Sequence, residues 1–391
     1  MSPRFSIVVL ARNEARTLPR LLASLRGFRE RGGDLLLVDT GSSDETAGVA
    51  RDAGCRVVEA GDRFSAALSA PEAAEIERRF ARAGEGPLVG AGERTFHFAE
   101  ARNFGGDQAR HDFVLQVDAG DEVLALDVDR FDHLLVSADV GELEYEQRYG
   151  TTVLQISRFA DRRRYRWEGR VHEILSRAPG HAGAKGARLR CDAAELLVHH
   201  HKDEQKPRAY LAGLALQVID HPEAPRWWHY LGRELVYRGH HRSAVEVLEL
   251  HASMIDTWQA ERSESLCLAG QCHEALDEPE AAALAYRRAH EIDASRREPL
   301  LRLASLACRS GDFAAAERSA RESLRLTRTC PYPELAANYT WLPHSLLYWS
   351  LFWLGRREEA RAHWETYLSL CPEEDVVRAH ARLFTPSQTT V

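Results

Sequence analysis

The chain has 391 residues, 44% hydrophobic and 28% charged, the balance of a globular protein with material for two or three domains. Its 51 basic and 59 acidic residues leave a net charge of −8, which excludes a broadly polyanion-binding protein, so no nucleic-acid partner is expected. The composition equally excludes a disordered chain, a collagen-like repeat and a disulfide scaffold.

The N-terminal stretch MSPRFSIVVLARNE reaches charge too soon for a secretory leader. Phe5 to Leu10 reads as a buried strand, and Glu14 to Phe28 carries Leu18, Leu21, Leu22 and Leu25 at helical spacing. DLLLVD, residues 34–39, is a second buried strand; Ser43 and Asp44 are natural caps for a helix running to Ala53, and Arg56 to Glu59 makes a third strand. This βαβαβ start predicts a parallel sheet covered on both faces. Residues 63–95 break the rhythm with a charged helical segment, Pro71 to Ala83, and a glycine-rich run without strand signal, read as an inserted excursion. A helix over Ala99 to Ala109 and a strand over Asp112 to Val117 follow, ending in DAGDE. Strands near 141–148 and 152–159, the segment YRWEGRVHEIL and the run AELLVHHH to His201 complete a more antiparallel second part.

From about Gln205 the pattern is helical only and repeats itself. Gly239 with Ala244 recurs as Asp277 with Ala282, Gly311 with Ala316, and Gly355 with Ala360, at intervals of 38, 34 and 44 residues. Small or apolar pairs recur before each turn (Leu231-Gly232, Ala269-Gly270, Leu303-Ala304, Leu347-Tyr348), and Leu248, Tyr286, Ala320 and Trp364 recur after it. The pattern resembles tetratricopeptide (TPR) repeats, in which small residues let paired helices approach. Leu335 to Gly355 is uncharged over 21 residues, but as the first helix of the last pair and its approach it needs no membrane. Seven scattered cysteines without a C-x-x-C pair (Cys55, Cys191, Cys267, Cys272, Cys308, Cys330 and Cys371) fit buried thiols in a reducing, cytoplasmic setting. Lys185, Lys202 and Lys206 are the only lysines, an arginine excess typical of GC-rich bacterial coding.

Ligands of a parallel sheet bind at the carboxyl ends of its strands, here Ala11-Arg12-Asn13-Glu14, Asp39 and Asp118. A dinucleotide site needs G-x-G-x-x-G after the first strand, and that turn contains no glycine, so a dehydrogenase is disfavoured. A nucleotide-sugar site instead needs an Asp for base or ribose, a cation for phosphate, and carboxylates for a divalent metal; Asp39, Arg102 and Asp118 with Asp121 meet those needs. Plain structural roles compete: helix capping for Asp39 and Asp44, turn chemistry for Asp118 and Asp121, ion pairing for Arg102 and Glu173. The consecutive histidines invite a zinc reading, but adjacent strand residues face opposite ways, so at most two of them converge.

SIVVLARNEARTL, LLLVDTGSSDET, FAEARNFGG and VLQVDAGDEVL, in that order, resemble the N-terminal half of family-2 glycosyltransferases. WEGRVHEIL and the VHHH run resemble the closing segments of bacterial members that carry TPR repeats behind the catalytic domain. The resemblance implies an α/β GT-A (nucleotide-diphospho-sugar transferase) domain over 1–204, followed by an all-α TPR-like domain over 205–391. It implies a hexosyltransferase-class enzyme that inverts the anomeric centre, with a nucleotide-sugar donor (UDP-linked by expectation) and a divalent Mn2+ or Mg2+ cofactor. Ala11, Asn13, Glu14, Asp39, Arg102 and Asp118 then fall at the donor. Asp118 matches the first carboxylate of the D-x-D metal motif, whereas Gly120 stands at its third position, so a glycine-permitted bulge would bring Asp121 to the metal, with His199 or His200 completing the shell. Glu173 is the expected base, with His172 and Trp167 shaping the acceptor side and Glu168 or Asp121 as substitutes. A peptide or protein acceptor is expected, or a homodimer paired through the repeats. Envelope or lipopolysaccharide sugar transfer is the alternative, as is a non-catalytic repeat adaptor, which the DAGD departure favours.

Overall fold

The computed structural model describes residues 2–150, 152–180, 186–201, 203, 209–327, 332–373 and 375–384. Lys185, Lys202, Gln205, Lys206 and Cys330 lie outside them. The chain forms two compact units, one of residues 1–77 with 89–220 and one of residues 78–88 with 221–391. The expected division after 204 falls outside the described residues, and the last helix of the first unit continues to Asp220.

The first unit runs β1 (Ser6–Ala11), α1 (Leu18–Ser24), α2 (Arg26–Glu30), β2 (Asp34–Asp39), α3 (Thr46–Asp52), β3 (Arg56–Glu59), β4 (Ser65–Ala67), α4 (Ala70–Phe80, whose last turn belongs to the second unit), β5 (Arg94–Phe96), α5 (Phe98–Gln108) and β6 (Phe113–Asp118). It continues with β7 (Asp121–Leu126), α6 (Val128–Ser137), β8 (Val140–Tyr149), β9 (Thr152–Asp161), β10 (Tyr165–Glu168), β11 (Ile174–Arg177), β12 (Ala187–Arg190), β13 (Leu196–His200) and α7 (Leu211–Asp220). A nine-stranded sheet has the order β3-β2-β1-β6-β9-β8-β13-β7, with β12 on β8. Strands β3, β2, β1 and β6 are parallel, and β2 is buried at every position, as a central parallel strand must be. From β6 onward antiparallel pairing dominates, although β13 and β12 run parallel to β8. Helix α5 lies close on the parallel strands because Gly105 has no side chain: a Cβ there would stand 2.8 Å from Val8. Beneath the sheet, Phe5 packs against Phe28, Phe131 and Phe159 with ring centroids 5.0–6.1 Å apart.

Several expectations need correction. The predicted helix over Glu14–Phe28 breaks into α1 and α2, since Leu25 leaves helical geometry at φ −95°, ψ 10°. Helix α3 starts at Thr46 after Glu45; Asp44 accepts from the Thr46 amide, while the Ser43 amide turns to Asn13. Residues 63–95, read as strand-free, contain the short antiparallel ribbon of β4 and β5. Its three-residue strands, Ser-Ala-Ala and Arg-Thr-Phe, are too short to show any period.

In the second unit, helices pair in chain order: α8 (Pro225–Tyr237) with α9 (His241–Ser253), α10 (Gln259–Ala275) with α11 (Pro279–Ile292), α12 (Glu298–Ser310) with α13 (Phe313–Arg325), and α14 (Leu342–Trp353) with α15 (Arg357–Leu370). A short α16 (Asp375–Ala379) follows. The repeated turn residues Gly239, Asp277, Gly311 and Gly355 all adopt positive φ, at 77°, 60°, 79° and 77°. Each ends a first helix in the left-handed geometry that favours glycine. Ala244, Ala282, Ala316 and Ala360, five residues on, are fully buried. Gly232 and Gly270 face Leu248 and Tyr286 so closely that a Cβ would meet each at 2.4 Å. These are TPR-like helical repeats. No helix among the described residues is long and apolar enough to cross a membrane; the uncharged stretch resolves into a 3-10 turn (Ala336–Tyr339) and the 12-residue α14.

Asp277 is exposed and holds the left-handed turn without glycine's freedom. Asp277→Gly is expected to stabilise the helical unit by about 0.5–1 kcal/mol, raising its melting temperature by roughly 1–4 °C in calorimetry. An unchanged or lower value would remove turn geometry as the reason for glycine at the three sister positions.

Candidate functional site

Strand β1 is the switch point of the parallel sheet, because the chain winds outward through β2 and β3 and then returns to β1's other edge as β6. In register, Ala11 sits beside Asp39 and Leu10 beside Asp118, so both acids lie at the carboxyl end of the sheet, ~10 Å apart by strand spacing. Asp39 is 6% exposed. Its Oδ1 accepts from the Gly41 and Ser42 amides at 3.1 and 2.8 Å, bracing the β2–α3 turn. Among the described residues its Oδ2 has no hydrogen-bond partner.

Ala11, Asn13 and Glu14 are tied into the same turn. The Ala11 carbonyl accepts from Thr40, whose amide and hydroxyl lie 3.0 and 3.1 Å away. The Asn13 amide donates to Ser42 Oγ while its Oδ1 accepts from the Ser43 amide, and the Glu14 amide donates to Thr46 Oγ1. Asn13 holds φ 54° to make this possible. Arg12 turns away from this network toward Ser65 and Asp62.

The centre of the site is Arg102, carried on α5 and 3% exposed. Its Nε donates to Glu173 Oε1 at 2.6 Å and its Nη2 to Asp118 Oδ1 at 2.8 Å, while its guanidinium carbon lies 5.1 Å from the Trp167 ring centroid. Arg158, on β9, donates to the other oxygen of Asp118 at 2.6 Å. Burial opposes the charge of Asp118, but the Arg158 and Arg102 guanidiniums outweigh it and hold the carboxyl far below the usual range. The same balance, burial against Arg102 and Arg158, leaves Glu173 depressed as well. His172 precedes Glu173 at φ 52°, an uncommon conformation for a side chain of that size, and its ring lies 5.8 Å from that of Tyr210. A cavity of about 20 Å3, enough for one water, lies beside Arg102, Gln116, Arg158 and Trp167.

Below Asp118 the chain turns through Ala119 and Gly120 into β7, where Asp121 is 1% exposed. Asp121 Oδ2 accepts the Asp118 amide at 2.8 Å, and its Oδ1 meets His200 Nδ1 at 2.8 Å. Burial raises the Asp121 pKa, and the hydrogen bond to Asp121 raises that of His200. A Cβ on Gly120 would stand 3.1 Å from the His201 carbonyl and 3.8 Å from His200 Cε1. The glycine at the third position of the motif is thus the clearance that lets the end of β13 approach.

Asp118, Asp121 and His200 hold ligand atoms within 4.8 Å of one another, a carboxylate–carboxylate–imidazole set that fits a divalent cation in kind. Of the two histidines weighed for that shell, His200 is the one brought to it. His199 faces the opposite side of β13, with Glu122 and His201, because side chains alternate along a strand. Glu168, an alternative base, is exposed at the end of β10. Arg158 escaped the sequence reading altogether: TVLQISRFAD offers one arginine in a mixed strand and nothing that aims it at Asp118.

No family model matches the chain, and no curated protein matches it. Solved structures similar to it include MamA, at 15% identity over 42% of this chain and 82% of that one, with a TM-score of 0.35. PilF of Pseudomonas aeruginosa is similar at 14% identity over 44% of this chain and 71% of that one, TM-score 0.35. YrrB, a TPR protein with an unusual peptide-binding site, is similar at 14% identity over 44% of this chain and 81% of that one, TM-score 0.34.

Proposed function

We infer that the first unit is a GT-A-type glycosyltransferase domain that binds a nucleotide-diphosphate sugar, UDP-linked by expectation, and that the helical repeats recruit a peptide or protein acceptor. The observation that carries the reading is the gathering of Arg102, Asp121, His200 and Glu173 around Asp118 at the carboxyl end of β6, with Asp39 at the same end of the sheet on the other side of β1. Asp39 Oδ2 is the free acceptor for a ribose hydroxyl or base N–H. Arg102 and Arg158 are the cations suited to a diphosphate, which would compete for them with Asp118 and Glu173. Asp118, Asp121 and His200 are the residues that would hold a divalent metal, which supplies charge neutralisation to the departing nucleotide. Glu173, ionised and fixed by Arg102 through one oxygen, presents its other oxygen as the acceptor-side base in an inverting displacement.

One observation favours a second reading. Both oxygens of Asp118 are already engaged by arginines, so the acid is neutralised without any ligand, as in a fold-stabilising cluster. On that reading the chain is a repeat adaptor whose first unit no longer catalyses. Calorimetric titration of the full chain with UDP-sugars, with and without Mn2+, separates the two. Binding strengthened by the metal supports the transferase; heat-silent titrations with every nucleotide sugar support the adaptor.

A further inference from the structure

The tripeptide His199-His200-His201 faces the dipeptide Asp121-Glu122 across an antiparallel pair, with His199 opposite Glu122 and His200 opposite Asp121 in register. Strand alternation then sorts the side chains onto two faces. His200 and Asp121 turn toward Asp118, while His199, His201 and Glu122 gather on the reverse side. The ligand atoms of these three all lie within 4.8 Å of one another. His201 Nε2 lies 2.8 Å from Glu122 Oε2, and the rings of His199 and His201 stand face to face at 4.2 Å with a 32° tilt. The backbone of His201 is pinned by its amide to the Gly120 carbonyl at 3.0 Å, which fixes the end of β13 against β7.

We propose that Glu122, His199 and His201 form a second metal site, for a zinc-class divalent transition ion, on the sheet face opposite the Asp118 cluster. Two imidazoles and one carboxylate are the donor set that such ions prefer. Tetrahedral bonds of about 2.0–2.2 Å set donors roughly 3.3–3.6 Å apart, so the His201–Glu122 pair opens from 2.8 Å while the wider spacings, all within 4.8 Å, close. The site has room to do so: the side chains of His201 and Glu122 are 31% and 32% exposed, and rotation about their side-chain torsions moves the donor atoms. Three protein ligands leave a fourth position open to solvent. Arg148 on β8 pairs with His199 in register, and its Nε donates to Glu146 at 2.9 Å. The site is independent of sugar transfer, since none of its three ligands touches Asp118, Arg102 or Glu173.

The test uses the full chain, stripped with chelator and titrated with Zn2+ against a chromophoric competitor, with Co2+ visible spectra reporting the ligand field. The expected result is an equivalent of Zn2+ whose affinity falls more than ~100-fold in both His199→Ala and His201→Ala, beyond the 10–100-fold typical of losing an outer partner. His200→Ala should leave that equivalent unchanged, which assigns it to the reverse face. Glu122→Gln, which keeps the shape and a hydrogen bond to His201, guards against a folding artefact and should shift the Co2+ bands. Absence of Zn2+ binding by the wild-type chain, or binding indifferent to His199 and His201, would overturn the proposal. Neither outcome bears on nucleotide-sugar binding, which is read separately.

Discussion

On the transferase reading proposed above, Asp118→Ala is expected to lower sugar transfer at least ~1000-fold; on either reading it should destabilise the first unit by about 2–3 kcal/mol. The two effects have separate origins. Asp118 is the shared acceptor for Arg102, 3% exposed, and Arg158, 19% exposed. Removing one partner of a buried pair costs about 3–5 kcal/mol because a charge is stranded, and the 31% exposure of Asp118 brings the figure down. On the transferase reading the loss in transfer would come from displaced guanidiniums and a missing carboxylate where charge develops, for which single electrostatic groups are worth ~100–1000-fold and a shared anchor more. A second variant separates them. Asp118→Ala with Arg158→Met removes one stranded charge and should recover part of the melting temperature while leaving transfer undetectable. Thermal unfolding and a radiolabelled transfer assay read the two quantities. Transfer at the wild-type rate in Asp118→Ala would dismiss the strand-end cluster as the donor site.

The parallel half of the sheet was legible because β1 and β2 are unbroken apolar runs, which buried parallel strands must be. The helical repeats were legible for a different reason. A turn that forces left-handed geometry and a contact that tolerates only a small side chain leave glycine and alanine at fixed spacing, whatever surrounds them. The site was half legible. Asp39 and Asp118 flank β1 in the sheet and follow from its topology, and Arg102 comes from α5, the helix that leads into β6. Arg158, by contrast, reaches Asp118 from β9, 40 residues further along, through an antiparallel pairing with no local signature. Alternation predicted that the three histidines would divide between faces. Which of them joins Asp121 depended on β7, a strand that DEVLAL does not announce and whose register with β13 shifts at a bulge.

In the second unit, Arg296→Met should be the most destabilising single change, at about 3–5 kcal/mol. Arg296 is fully buried in the α11–α12 connection and collects three carboxylates: Glu264 at 2.5 Å, Glu298 at 3.2 Å and Glu334 at 3.6 Å. Its Nη1 also donates to Ser263 Oγ at 3.2 Å, and its guanidinium carbon stands 5.1 Å from the centroid of the Tyr332 ring. Methionine fills much of the volume, so the loss is electrostatic: the acids stay buried without their cation. The pH dependence identifies that origin. Burial and the neighbouring Glu298 push Glu264 up to about 6, against the pull of Arg296 and Arg233. A carboxyl raised above its unfolded value of ~4.3 adds stability that is complete below that value and lost as pH rises through the folded one. Removing Arg296 raises the folded value further, so the deficit of the variant is largest near pH 7 and shrinks toward about pH 4.5, as protonation discharges the acids. Hydrogen exchange in α10 and α12 across that pH range measures it directly. A deficit that stays constant with pH would assign the loss to packing, and pairing Arg296→Met with Glu264→Gln should restore part of the stability at pH 7 only if charge is the cause.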